Sequence, residues 1–158
     1  MKEISLNKGM FAIIDDEDYD FLMKWRWRVR RIGDTYYAYR NTHIAGGKCI
    51  TIHMHRLIMK TPIDLVIDHK DHNGLNNQKS NLRNCTRSQN QMNRRGSGSS
   101  KFIGVGWDKN RGKWQVLIKY DGRIHYLGRF DDEIMAAHIY DAKAIEVFGE
   151  FANPNFPK

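Results

Sequence analysis

Residues 65–90 read LVIDHKDHNGLNNQKSNLRNCTRSQN, and the rest of the chain is best read outward from them. Leu65-Val66-Ile67 is a short apolar strand that ends in Asp68-His69. Asp71-His72-Asn73-Gly74 is a turn signal, Asn-Gly being suited to positive φ. Asn81-Leu82-Arg83 follows. Thr86-Arg87-Ser88-Gln89 fits a capping box, Thr at the N-cap and Gln three later, and opens a short helix. Asn90 falls in the first turn of that helix and Asn93 one turn on. The unit is strand–turn–strand–helix, and it brings a carboxylate (Asp68), an imidazole (His69) and an amide oxygen (Asn90) together.

Those residue types have a chemistry. Asp68 and Asn90 are hard oxygen ligands, suited to a divalent cation such as Mg²⁺ that keeps several waters. Two protein ligands leave positions for a phosphate oxygen and a leaving group. His69, with an unperturbed pKa of about 6.5, can take a proton from water near neutral pH. A general base beside a Lewis acid is a minimal set for phosphodiester hydrolysis.

The surrounding composition agrees with a polyanionic partner. The 158 residues carry 26 Lys plus Arg against 18 Asp plus Glu, a formal charge of +8. Residues 1–95 hold a net +7 of this and residues 96–158 a net +1. From His72 to Trp107 there is no acidic residue, while Arg83, Arg87, Arg94 and Arg95 all occur; such a one-sided stretch is expected to be solvated or to face phosphate. Lys24, Arg26, Arg28 and Arg30 alternate with Trp25, Trp27 and Val29, which is strand periodicity, whether for phosphate contact or as a charged, protected edge. Hydrophobic residues make up 41%, enough for a core. No apolar run approaches the roughly 18 residues of a membrane span. The start, MKEISLNKGM, lacks the apolar core of a signal peptide, so a cytoplasmic protein is expected. Cys49 and Cys85 make no disulfide framework. With no Cys-x-x-Cys pair, and no fourth ligand near Cys49, His53 and His55, no structural zinc is expected.

Gly96-Ser97-Gly98-Ser99-Ser100 reads as a flexible linker between modules 1–95 and 101–158. The first module looks β-rich before its strand–turn–strand–helix core at about 64–95. Phe11–Ile14 is a strand, Asp15–Asp18 an acidic turn, Tyr19–Lys24 helix-like, Tyr36–Arg40 an aromatic strand, and Ile50 to His55 alternates again. The second module reads as three strands, Phe102–Trp107, Lys113–Tyr120 and Arg123–Phe130, with a hairpin turn at Asp121-Gly122. A helix capped by Asp131 or Asp132 runs to about Phe148 and stops at Gly149. Trp114, Val116 and Ile118 should face the helix. Gln115, Leu117 and Lys119 should lie on an open face that can enter a major groove. The fold class is therefore α+β: a β-rich N-terminal region with a ββα-metal unit, then a three-stranded antiparallel sheet packed on one helix.

Val66 to Asn90 resembles the HNH endonucleases, particularly the phage and intron-homing branch. The family's Asp-His pair, its Asn-Leu about a dozen residues later and its final helical Asn fall on Asp68-His69, Asn81-Leu82 and Asn90. The resemblance implies that Asp68 and Asn90 bind the metal, that His69 is the base and that Asn81 braces the hairpin. His72 departs from the small residue common at its position. His55-Arg56-Leu57-Ile58-Met59 looks like the family's His-Arg lead-in and places Arg56 near phosphate.

The second module resembles the ethylene-response-factor (AP-two) domain of plant transcription factors. Gly104-Val105, Gly112-Lys113-Trp114, Leu127-Gly128-x-Phe130, the Ala136-Ala137-x-x-Tyr140-Asp141 helix and Asn155-Phe156 carry the likeness. It implies DNA contacts from Gln115, Leu117, Lys119, Tyr126 and Arg129, with phosphate contacts from Lys109, Arg111 and Arg123. The plant arginines near Ile103, Gly106 and Ile124 are missing, so the plant target sequence does not transfer. Together the modules imply a homing-type, metal-dependent DNA endonuclease of phage or mobile-element origin. It would act on double-stranded DNA with Mg²⁺, or alternatively Mn²⁺, and without a small-molecule cofactor or membrane; as a monomer it would nick. The alternatives are a non-catalytic DNA-binding regulator that uses the HNH unit as scaffold, and an RNA-directed protein.

Overall fold

The computed structural model describes residues 1–93 and 99–156. The chain is α+β and forms two compact units, Met1–Arg87 and Ser88–Lys158. In the first, β1 (Lys2–Ser5) and β2 (Phe11–Ile14) form an antiparallel hairpin. A single 3-10 turn at Asp16–Asp18 leads into α1 (Tyr19–Leu22). Then β3 (Arg28–Ile32), β4 (Thr35–His43) and β5 (Cys49–His53) form a meander in that order. After α2 (Met54–Met59), β6 (Val66–His69) pairs antiparallel with β7 (Leu82–Cys85). One apolar cluster unites these pieces: Ile14 and Leu22 are fully buried with Met54, and Leu75 and Leu82 join them from the β6–β7 segment.

Two expectations for this unit are corrected. The Trp/Arg stretch from Lys24 is not one strand, because pairing begins at Arg28. Trp27 instead donates its indole N–H to the Leu22 carbonyl at 2.9 Å, and the Trp25 amide donates to the same oxygen at 3.3 Å. Both serve the carbonyl end of α1, whose last oxygens have no partner inside so short a helix. The alternation from Ile50 also ends early. His53 closes β5 and His55 lies in α2.

Helix α3 (Arg87–Met92) starts directly after Thr86. In the second unit, β8 (Val105–Asp108), β9 (Lys113–Tyr120) and β10 (Arg123–Phe130) form an antiparallel sheet with β9 central. Asp121 (φ 50°) and Gly122 (φ 72°) take the two left-handed positions that a tight hairpin of this twist requires. Helix α4 (Glu133–Phe148) begins where the Asp132 carboxylate accepts the Met135 N–H at 2.6 Å. Val116 and Ile118 are buried with Ala136, Ala137 and Ala144, so the small side chains let the helix lie close on the sheet.

The first strand of this sheet starts at Val105 and not at Phe102. Gly104 interrupts it with φ 74°, while its carbonyl accepts the Leu117 N–H at 2.8 Å. A Cβ on Gly104 would overlap the Tyr140 ring and come within 2.8 Å of the Leu117 carbonyl. Gly104→Ala should therefore destabilise this unit by about 2–4 kcal/mol, from left-handed strain plus overpacking. Urea unfolding followed by tryptophan fluorescence would show it; an unchanged midpoint would mean the helix can shift to make room. No helix among the described residues is long and apolar enough to cross a membrane.

Candidate active site

The site grows from the end of β6. Asp68 and His69 are its last two residues, and both are buried. Register sets Asp68 opposite Arg83 and His69 opposite Leu82. The Asp68 carboxylate receives the Arg83 guanidinium on one oxygen, Oδ2, from Nε at 2.7 Å and Nη2 at 2.6 Å.

His69 is walled by rings. Tyr37 of β4 lies 5.7 Å away and His55 of α2 lies 5.2 Å away, both edge-on. His55 in turn stacks on His53 at 5.2 Å, and the Arg30 guanidinium meets His53 Nε2 at 2.7 Å. Burial, together with the neighbouring imidazoles and Arg56, pushes the His55 pKa down to about 3, so this ring is neutral at working pH. Burial also lowers the His69 pKa. The Asp71 charge, the Asn77 side chain and the Asp68 charge oppose that shift.

The loop between β6 and β7 is tied at many points. Asn81 Nδ2 donates to Asp71 Oδ1 and to the Asn76 carbonyl, both at 2.9 Å, and its Oδ1 accepts the Asp71 N–H at 3.1 Å. Burial raises the Asp71 pKa, but hydrogen bonds from the Asn73 backbone and the Asn76 and Asn81 side chains outweigh it and hold the carboxyl below its ordinary range. The left-handed position of the turn is His72, at φ 62°, rather than the Asn73-Gly74 pair. Gly74 is needed for room: a Cβ there would lie 2.5 Å from the Tyr36 carbonyl and 2.6 Å from the Tyr37 ring. The hairpin β1–β2 and the acidic turn after it hold the loop's far side. Ile13 N–H donates to Leu75 O at 2.9 Å and Asn77 N–H to Ile13 O at 2.7 Å. Asp15 accepts the Lys79 N–H at 2.8 Å, and Lys79 Nζ pairs with Glu17 and Asp18.

The structure thus brings Asp68, His69, Asn81 and Arg83 together. Arg83 lies on Asp68, not out in solvent. Arg56 is likewise occupied, donating to the carbonyls of Leu65 (2.9 Å), Pro62 (2.8 Å) and Thr61 (3.3 Å), which fixes the segment leading into β6. Asn90 and Arg87 are exposed on α3. Arg94 and Arg95 lie outside the described residues. In the second unit, cross-strand pairs Gln115–Arg129 and Leu117–Tyr126 share a sheet face with Lys119. Arg129 bonds Asp108 at 2.8 Å and the Tyr126 hydroxyl at 3.0 Å; Lys109, Arg111 and Arg123 are exposed. Sequence reasoning gave no role to Tyr37, His53 or Asn77, and named His55 only in the His-Arg lead-in and, with His53, in the zinc set it set aside.

The HNH endonuclease family model matches residues 53–92, from His53 through α3. An uncharacterized HNH endonuclease, L560, of Acanthamoeba polyphaga mimivirus is 33% identical over 150 residues, which cover 94% of this chain and 76% of that protein. The chain belongs to the HNH endonucleases. It is an enzyme by that membership, which suggests nuclease activity on DNA, and HNH nucleases typically use a divalent metal. No solved structure matches this HNH endonuclease.

Proposed function

We propose that this HNH endonuclease hydrolyses one phosphodiester bond of double-stranded DNA per active site, nicking as a monomer. Residues 1–95 carry the chemistry. Residues 101–158, similar in pattern to the AP-two type domain, choose the site through the face bearing Gln115, Leu117, Lys119, Tyr126 and Arg129. Lys109, Arg111 and Arg123 contact phosphate, as do Arg87, Arg94 and Arg95. The viral relative fits a homing-type or mobile-element origin.

The observation that carries the reading is the buried Asp68–His69 pair at a strand end, beside a loop that Asn81 braces with three hydrogen bonds. Among the described residues no three His, Cys, Asp or Glu side chains are arranged to hold a metal. The candidate set is the mixed one of the Asp68 carboxylate and the Asn90 amide, whose hard oxygens suit Mg²⁺ or Mn²⁺. When bound, that cation would supply Lewis-acid stabilisation of charge at the phosphate and the leaving 3′ oxygen. His69 takes the proton from the attacking water. Tyr37 and His55 exclude other water from its sides, and Arg83 holds Asp68 in place.

Supercoiled plasmid incubated with Mg²⁺, with Mn²⁺ or with chelator tests this directly. Nicked circles should form only with metal. Plasmid that is bound and shifted but never nicked would instead favour a DNA-binding protein that uses the HNH unit as scaffold.

A further inference from the structure

The open face of the β8–β10 sheet carries an apolar patch that the core does not use. Ile124 is 68% exposed, Tyr126 52% and Leu117 37%. Register makes them neighbours in three rows along the face: Gln115 opposite Arg129, Leu117 opposite Tyr126, and Lys119 opposite Ile124. Alternation turns Val116 and Ile118 the other way, into the core with α4. Large apolar side chains gathered on an exposed face mark a surface for a partner. The cations around them say which kind. Lys119 and Arg123 are exposed at one end and Arg129 stands at the other, which suits a polyanion. A second copy laid face to face would instead bring cation against cation.

The side-chain types narrow the partner further. In the major groove the thymine methyl is the group that apolar side chains contact. A leucine or isoleucine over a G·C pair would expel water and leave the polar base edges without partners. Arg129, the arginine of these three rows, is already engaged. Its Nε donates to Asp108 at 2.8 Å, its Nη1 to the Tyr126 hydroxyl at 3.0 Å, and its guanidinium lies 5.1 Å over the Tyr126 ring. So tied, it is not free to swing onto a guanine edge. Gln115 is of the type that pairs with adenine.

We propose that this face selects A·T pairs, with Leu117 and Ile124 packing on thymine methyls in the major groove. The inference rests on the second unit binding duplex DNA. Successive rows are about 7 Å apart, roughly two base-pair rises. With β9 along the groove, the rows of Leu117 and Ile124 overlie about three consecutive pairs.

The test binds the full-length chain, in chelator, to duplexes with a randomised central block and sequences those retained. A short run of consecutive A·T pairs is expected; a G·C run, or no enrichment, overturns the proposal. The retained duplex is then remade with deoxyuridine for thymidine in that run, which removes only the methyls. Each methyl lost should weaken binding about fourfold, the worth of one buried carbon. Equal affinity overturns the proposal. The double variant Leu117→Ala, Ile124→Ala changes exposed side chains and should bind the two duplexes alike; an undiminished thymine preference would count against these residues. Should that variant not fold, the uracil comparison decides alone. Self-association that Ile124→Lys abolishes would make the patch a contact between copies and overturn the base reading. A chain that retains no duplex at all sinks DNA binding itself, whereas one that retains duplex but accepts uracil equally sinks only the base choice.

Discussion

His69→Ala should lower the nicking rate by about 10²- to 10⁴-fold, the range that a positioned general base contributes. Affinity for duplex DNA should change little, because the imidazole is buried and DNA grip rests on exposed cations. Single-turnover nicking and a salt-matched binding titration separate the two quantities. The ring also fills space between Tyr37 and His55, so the variant should lose some stability as well. An unfolding curve is therefore part of the measurement, and activity is compared only where the variant is folded. Nicking at the wild-type rate would show that the base lies elsewhere.

Arg83→Met should be the most destabilising single change near the site. The Asp68 side chain is 5% exposed and the Arg83 side chain 12%, so their ion pair is buried. Removing one partner leaves a carboxylate in a poorly solvated place, a loss of about 3–5 kcal/mol. The double variant Asp68→Leu, Arg83→Met removes both charges and should regain most of that stability, because a buried pair is often no better than well-packed apolar groups. It should nevertheless show no metal-dependent nicking. Denaturant midpoints for the three proteins, with plasmid nicking beside them, make the comparison. A double variant no more stable than Arg83→Met alone would mean that Asp68 is needed for folding in its own right.

What the sequence disclosed follows from how local each signal is. The β9–β10 hairpin was legible because Asp121-Gly122 sits between two alternating runs, and α4 because Asp132 and Gly149 mark its ends. Asp68, His69 and Asn81 were legible as a spaced motif. The ring wall was not. Tyr37, His53 and His55 meet His69 across β4, β5 and α2, and no period along the chain encodes that meeting. Trp27 misled because alternating Trp and Arg imitates a strand, whereas the indole N–H is drawn to the Leu22 carbonyl. Arg56 and Arg83 looked like phosphate contacts because charge alone does not reveal an internal partner. Asn77 hid among neighbouring asparagines, since burial is what distinguishes it.

The tie between Asp15 and Lys79 spans 64 residues of chain. Such a contact is formed late, because the intervening loop must first be closed against its entropy. The hairpin β1–β2 pairs residues close in sequence and needs no such closure. It is thus a waiting dock on which the β6–β7 loop is set when it emerges. The loop after Asp68 and His69 is thus held by a contact whose closure entropy far exceeds that of the hairpin it docks on.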